Sequence, residues 1–299
     1  MNGGSVIAAG QAILGESPIW SRSRARLLWV DTLGASLNFF DPATGRNFSH
    51  PMPAPLGFVA EKSSGELLLG MGCHVEQIDA AGNRYRIATA PHAQEGFRLN
   101  DACMDSADRL WVGLIDEELK DGTGYLYRLD PDGHWHTLDS GFTLINGMRF
   151  SRDGKILYVT DSRRGEIYRY ECDPTSGDVS HRRVVIIIDP GKGKPDGLIV
   201  DQNGFLLSTL FDGAAIARIS PEGEIAHLIP LPVQRPTSCA FGHNEQSLYV
   251  TSARLGLSKR QLEHMPSSGA LLKIDYQRAI QRQAIRGRVC GKSITGGCE

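Results

Sequence analysis

Long apolar runs are missing from this chain of 299 residues. Its longest uninterrupted aliphatic stretch, Val184 to Ile188, falls far short of the roughly 20 residues that cross a bilayer. The opening MNGGSVIAAGQ lacks the basic n-region of a secretory signal. A soluble, cytoplasmic protein with no membrane contact is therefore expected. Charge of one sign is missing as well: 32 Lys plus Arg against 34 Asp plus Glu leave a net charge of −2, with no block that would recruit a polyanion. Aromatic residues make up 7%, too few to suggest a base-stacking surface, so nucleic acid is not an expected partner. No C-x-x-C pair joins any of the six cysteines, and a chain of this length does not need staples to fold, so free thiols are the default. Cys290 and Cys298 lie close together near the end, where a loose polar tail from about Gln277 is the expectation and a bridge or metal the alternative. No G-x-S-x-G surrounds any serine, which removes support for a nucleophile elbow. The run GKGKPDG at Gly191 lacks the spacing of a phosphate loop.

What the chain does contain is 41% hydrophobic residues, 34 glycines and 15 prolines, ample material for a large core with many turns. Short β-rich runs recur as LLWVDTL from Leu27, ELLLGMG from Glu66, RLWVGLI from Arg109, ILYVTDS from Ile156, FLLSTLF from Phe205 and SLYVTSA from Ser247. Each is followed by a second strand, most of them closed by Asp-Pro-x-x-Gly or Pro-x-Gly, where Pro fixes φ and Gly takes a positive φ. No long amphipathic helix interrupts the series. Six units of roughly 45 residues, each supplying four short strands, predict an all-β, six-bladed β-propeller formed by one domain. A two-sheet sandwich would not produce six evenly spaced units. The stretch SVIAAGQAIL, within about residues 1–14, precedes the first full unit and is expected to close the ring by completing the last blade.

Upstream of each run lies another short strand, and it should be the one nearest the axis. Counting back 11 to 13 residues from Trp29, Leu69, Trp111, Tyr158, Ser208 and Tyr249 reaches Glu16, Gly57, Asn100, Asn146, Asp196 and Thr237. Four of these six are Glu, Asn, Asn and Asp, oxygen donors that would converge on the channel from separate blades. With no Cys or His among them, they suit calcium, magnesium or manganese better than a thiolate metal, and zinc stays open. Taken singly, Asn146-Gly147 and Asp196-Gly197 read equally well as turn formers. His134 and His136 fall on one side of a strand, but on its expected outer face.

At this point the chain resembles the regucalcin (senescence marker protein), gluconolactonase and luciferin-regenerating enzyme family. The resemblance runs from Gly15 to about Asp275 and rests on GESPIW at Gly15, FRLNDACMDSADRLWVG at Phe97, INGMRFSRDGKILYVTDS at Ile145, KPDGLIVDQNG at Lys194 and RPTSCAFGHNEQSLYVTSA at Arg235. It implies a six-bladed propeller with one divalent metal in the central cavity. Carried over motif by motif, the metal ligands fall on Glu16, Asn146 and Asp196. The substrate-contacting Arg and Asn fall on Arg98 and Asn100, and an acid after the next strand falls on Glu118, with Glu117 the nearby alternative. The pattern is broken at Ala102-Cys103, where many relatives read Gly-Lys, and at Gly113-Leu114-Ile115, where Gly-Thr-Met is common. Cys103 lies across the pleat and faces away from the axis if the strand is regular, or lines the pocket if a bulge follows Asp101.

These readings imply a metal-dependent lactonase that opens an aldono-1,4- or 1,5-lactone to the free acid. Asp196 is the candidate for both metal ligand and general base, with Arg98 and Asn100 holding the substrate's oxygens. The rivals are a non-enzymatic calcium-binding or interaction propeller, and a hydrolase of other small esters or phosphotriesters.

Overall fold

The structure, a computed structural model, describes residues 4–8, 11–243 and 245–281. The positions beyond 281, including Cys290 and Cys298, lie outside the described residues. Among the described residues, twenty-four strands form six four-stranded antiparallel sheets, the blades of a β-propeller. Within blades 1 to 5 the strands follow one another in chain order from the axis outward. In blade 6 the order from the axis is Pro236–Phe241, Ser247–Ser252, Leu271–Asp275 and finally Ser5–Ala8, so the chain's first strand forms the outer edge of its last blade.

Burial follows position. The second strand of each blade is apolar on both sides because both of its faces meet neighbouring blades; Leu110–Asp116, for example, is buried along its whole length. Outer strands such as Arg46–Pro51 are exposed and polar, which blunts the free sheet edge. The core is accordingly a set of clusters between blades. Phe58 and Leu68 of blade 2 pack on Leu99, Val112 and Tyr127 of blade 3, and Trp111 of blade 3 packs with Met148 and Val159 of blade 4.

The innermost strands are Gly15–Ser21, Leu56–Glu61, Phe97–Met104, Ile145–Phe150, Lys194–Val200 and Pro236–Phe241. All six carry the same irregularity. In blade 4 the register runs Ile145↔Asp161 and then Met148↔Val159, leaving Asn146 and Gly147 opposite Thr160 alone. The equivalent pairs are Ser17-Pro18, Gly57-Phe58, Asn100-Asp101, Asp196-Gly197 and Thr237-Ser238. Two residues facing one is a β-bulge, which bends the strand and re-aims its side chains. Asn146-Gly147 and Asp196-Gly197 are thus bulges inside strands, not turns. Their glycines answer a steric demand: a Cβ on Gly147 would lie 2.5 Å from the Asp196 carbonyl oxygen of the next blade. In blades 5 and 6 the threonines opposite the bulges meet carbonyls that the ladder leaves over: Thr209 Oγ1 donates to Thr237 O at 2.6 Å, with Gly197 O at 3.2 Å, and Thr251 Oγ1 lies 3.2 Å from Ser238 O.

Candidate active site

Five of the six positions counted toward the axis are the first residue of a bulge. Glu16 is the exception: it pairs with Val30, one residue before the bulge, and the equivalent position is Ser17, held at φ 48°.

Between blades 3 and 4 the polar side chains form a continuous relay. Asn146 Nδ2 donates to Ser162 Oγ at 3.0 Å, which turns Oδ1 of the same amide toward Asn100. Asn100 Nδ2 donates to that Oδ1 at 3.0 Å and to Ile145 O at 2.9 Å, while its own Oδ1 accepts from Arg98 Nη1 at 2.5 Å. Arg98 Nε in turn faces Glu117 Oε1 at 3.5 Å. Glu117 is therefore the acid on the relay. Glu118 points away, 71% exposed and ion-paired with Lys120 at 2.7 Å.

Asp196 is buried from blade 5, and its Oδ1 has no hydrogen-bond partner. Glu16 and Asp196 influence each other and Arg98 electrostatically. Burial, followed by the charges of Asp196 and Asp101, holds the Glu16 carboxyl well above its ordinary range. Burial and the Asp101 charge do the same for Asp196, against the pull of Arg98. The Arg98 guanidinium is lowered by its own burial, opposed by Glu117, Glu16 and Asp196. Asp101, the second bulge residue of blade 3, is the acid that reading by motif left out. Burial pushes its carboxyl up to about 6, although it accepts a hydrogen bond from the Ala102 amide at 2.7 Å. No sequence signal marked it: it joins Asn100 only because a bulge presents two consecutive side chains where a regular strand presents one.

Among the described residues no group of three or more His, Cys, Asp or Glu side chains is gathered closely enough to hold a metal. The candidate donor set is instead two carboxylates and one amide oxygen. It suits a hard divalent cation: a half-buried Glu16 and a buried Asp196 feel each other's charge, Asp196 has an orphaned oxygen, and Ser162 orients the amide. His136 lies elsewhere, on the outer strand of blade 3, with Nε2 2.9 Å from Asp130 Oδ2. A bulge does precede Cys103, yet the thiol is buried against Trp111 and Met148 between blades, away from the Asn100 relay. Cys73, Cys103, Cys172 and Cys239 are free.

A stability effect follows from Asp101. A carboxyl raised in the folded state stabilises the fold at low pH, and that contribution is lost as pH rises from the unfolded value of about 4 through about 6. In the presence of chelator, Asp101→Asn should remove this slope and gain up to about 3 kcal/mol at neutral pH, at about 1.4 kcal/mol per unit. Urea unfolding at a series of pH values measures it; parallel profiles for variant and wild type would refute the placement of Asp101.

A propeller whose channel gathers the Glu16 and Asp196 carboxylates and an oriented amide beside a guanidinium defines a class: propellers with an oxygen-donor cluster in the central channel. The family described as the SMP-30/gluconolactonase/LRE-like region matches residues 14–254, and this chain belongs to it. A Bacillus subtilis (strain 168) protein assigned as a sugar lactone lactonase, YvrE, is 33% identical over 271 residues, covering 89% of this chain and 92% of the relative. The 6-deoxy-6-sulfogluconolactonase of Pseudomonas putida is 31% identical, with 87% and 90% covered. Among solved structures, regucalcin of Agrobacterium tumefaciens strain C58, a calcium-binding protein, superimposes with a TM-score of 0.86 at 25% identity, covering 91% of this chain and 93% of that one. No helix among the described residues is long and apolar enough to cross a membrane.

Proposed function

We propose that this protein hydrolyses a sugar-acid lactone to the free aldonic acid, with a divalent cation held by Glu16, Asn146 and Asp196. The observation that carries the reading is the orphaned Asp196 Oδ1 in the same channel as the Arg98–Asn100–Asn146 relay. Relatives named sugar lactone lactonase and 6-deoxy-6-sulfogluconolactonase support the substrate class.

When bound, such a cation polarises the ester carbonyl and makes water easier to deprotonate near neutral pH. Arg98 supplies fixed N–H donors to the hydroxyls and ring oxygen of the lactone, and Asn100 holds Arg98 in place. Asp196 takes the proton as water adds to the carbonyl carbon, and its raised pKa brings it nearer to working pH than an ordinary aspartate. As the acyl–oxygen bond breaks, that proton passes to the departing ring oxygen, which becomes the hydroxyl of the aldonic acid. Glu117 anchors Arg98 at the outer end of the relay.

A non-enzymatic calcium-binding propeller would use the same three oxygens but gains nothing from a guanidinium beside them, since a cation there repels the ion. The two readings separate in one assay. Purified protein should open aldonolactones, lose at least about 90% of that activity on chelation, and regain it with calcium, zinc, magnesium or manganese. Tight metal binding with no hydrolysis of any lactone under any metal would favour the non-enzymatic reading.

A further inference from the structure

The channel has a second mouth, on the face opposite the Glu16–Asp196 site. Two residues past the bulge pairs, the ladder positions paired with Leu27, Leu68, Trp111, Tyr158, Leu207 and Tyr249 are Trp20, Ala60, Cys103, Arg149, Ile199 and Ala240. All six line a cavity of about 1110 Å³ that opens between the inner hairpin turns. At this level the ring carries one charge, Arg149. Its Nε is buried without a hydrogen-bond partner, and it makes no ion pair with a described residue. Trp20 Nε1 is buried without a partner too. Blades 1 and 4 are third neighbours in a ring of six, so Trp20 and Arg149 stand on opposite walls of the cavity.

The acids on the cavity wall do not answer these donors, because each is engaged elsewhere. Glu61 accepts from Ser21, Ser23 and Arg24. Asp105 accepts from Arg109 and Trp111, Asp108 from Ser63, and Glu245 from Arg152. The thiols of Cys103 and Cys239, which feel the Arg149 charge, are pushed up to about 12 by burial and stay neutral. Asp101 also feels that charge, from the bulge level nearer the other mouth. A buried guanidinium N–H without an acceptor is costly, and an oxyanion brought in from solvent removes that cost. The guanidinium fork matches a carboxylate, and the apolar remainder of the ring suits a carbon body rather than a fully hydrated ion.

We propose that this second mouth binds a small organic carboxylate, its oxygens held by Arg149 and Trp20 and its carbon skeleton packed on Ala60, Ile199 and Ala240. The site is separate from the lactone site, and the inference does not rest on the proposed activity.

Benzoate tests it, titrated calorimetrically into the full-length protein at fixed ionic strength, with benzamide and inorganic phosphate as comparators. Benzoate should bind one-to-one, and benzamide and phosphate at least tenfold more weakly. Arg149→Met should weaken benzoate at least tenfold and Trp20→Phe severalfold, while Arg98→Ala, at the other mouth, leaves its affinity unchanged. Should Arg149→Met fail to give a native circular dichroism spectrum, Arg149→Lys carries the test, since an ammonium retains charge but loses the fork. Three outcomes overturn the proposal: no benzoate binding by wild type, equal affinity in a folded Arg149 variant, or loss of binding in Arg98→Ala with retention in Arg149→Met. Phosphate binding as tightly as benzoate overturns the carbon-body assignment.

Discussion

Asp196→Ala should abolish tight binding of a divalent cation and lower lactone hydrolysis by about a thousandfold or more, while the β-type circular dichroism spectrum is kept. The size of the loss follows from the two roles placed on one side chain. Loss of a positioned proton acceptor costs about 10²- to 10⁴-fold by itself, and here a cation ligand goes with it. Folding should survive for the reason that makes the residue useful. The carboxylate is buried with one oxygen unmatched and its ionised form disfavoured by burial and by Asp101, so in the metal-free protein it is a source of strain rather than support. Chelator-treated Asp196→Ala is therefore expected to be no less stable than chelator-treated wild type at neutral pH. In Asn146→Ala the lost amide oxygen should weaken the cation while both carboxylates remain, giving an intermediate affinity. Full metal stoichiometry in Asp196→Ala would remove Asp196 from the site.

The blades were legible because each is a local object. A run such as RLWVGLI followed by GYLYRLDPDG has its strands and its turn within about 25 residues, and turn chemistry depends on the residues in the turn themselves. The bulges were not legible, since a bulge is a mismatch between two strands and no residue type marks it. Counting back along the chain found Asn100, Asn146 and Asp196 because the hairpins differ in length by only a residue or so. The same tolerance hid the offset of Glu16 and left Asp101 out, because a regular strand would turn Asp101 away from the axis. The choice between Glu117 and Glu118 was also beyond reach. It depends on where the Leu110–Asp116 strand stops, a one-residue question that decides which carboxylate meets Arg98. Arg149 escaped notice altogether, since its meaning lies in the five uncharged residues that share its level in the ring.

Arg98→Ala should leave the cation in place and cut kcat/KM for a hydroxylated aldonolactone by roughly 10- to 100-fold, with at most a few-fold effect on unsubstituted γ-butyrolactone. Hydrogen bonds from a charged donor are worth about 1.5–3 kcal/mol each, and about 1.4 kcal/mol is a factor of ten. One such bond to a substrate hydroxyl gives about that range, and γ-butyrolactone has no hydroxyl to lose it. The guanidinium also helps keep Glu16 and Asp196 ionised, so its removal should push both carboxyls further up. A carboxyl raised further needs a higher pH to ionise and bind a cation. The acidic limb of the variant's pH–activity profile should accordingly move to higher pH, and cation affinity measured at low pH should fall while that measured at high pH stays near wild type. Arg98→Lys separates the two contributions: a lysine ammonium keeps much of the electrostatic support but not the fixed fork, so the pH limb should return toward wild type while discrimination between the two lactones stays weak. Undiminished aldonolactone turnover by Arg98→Ala, with an unshifted acidic limb, would take Arg98 out of both roles.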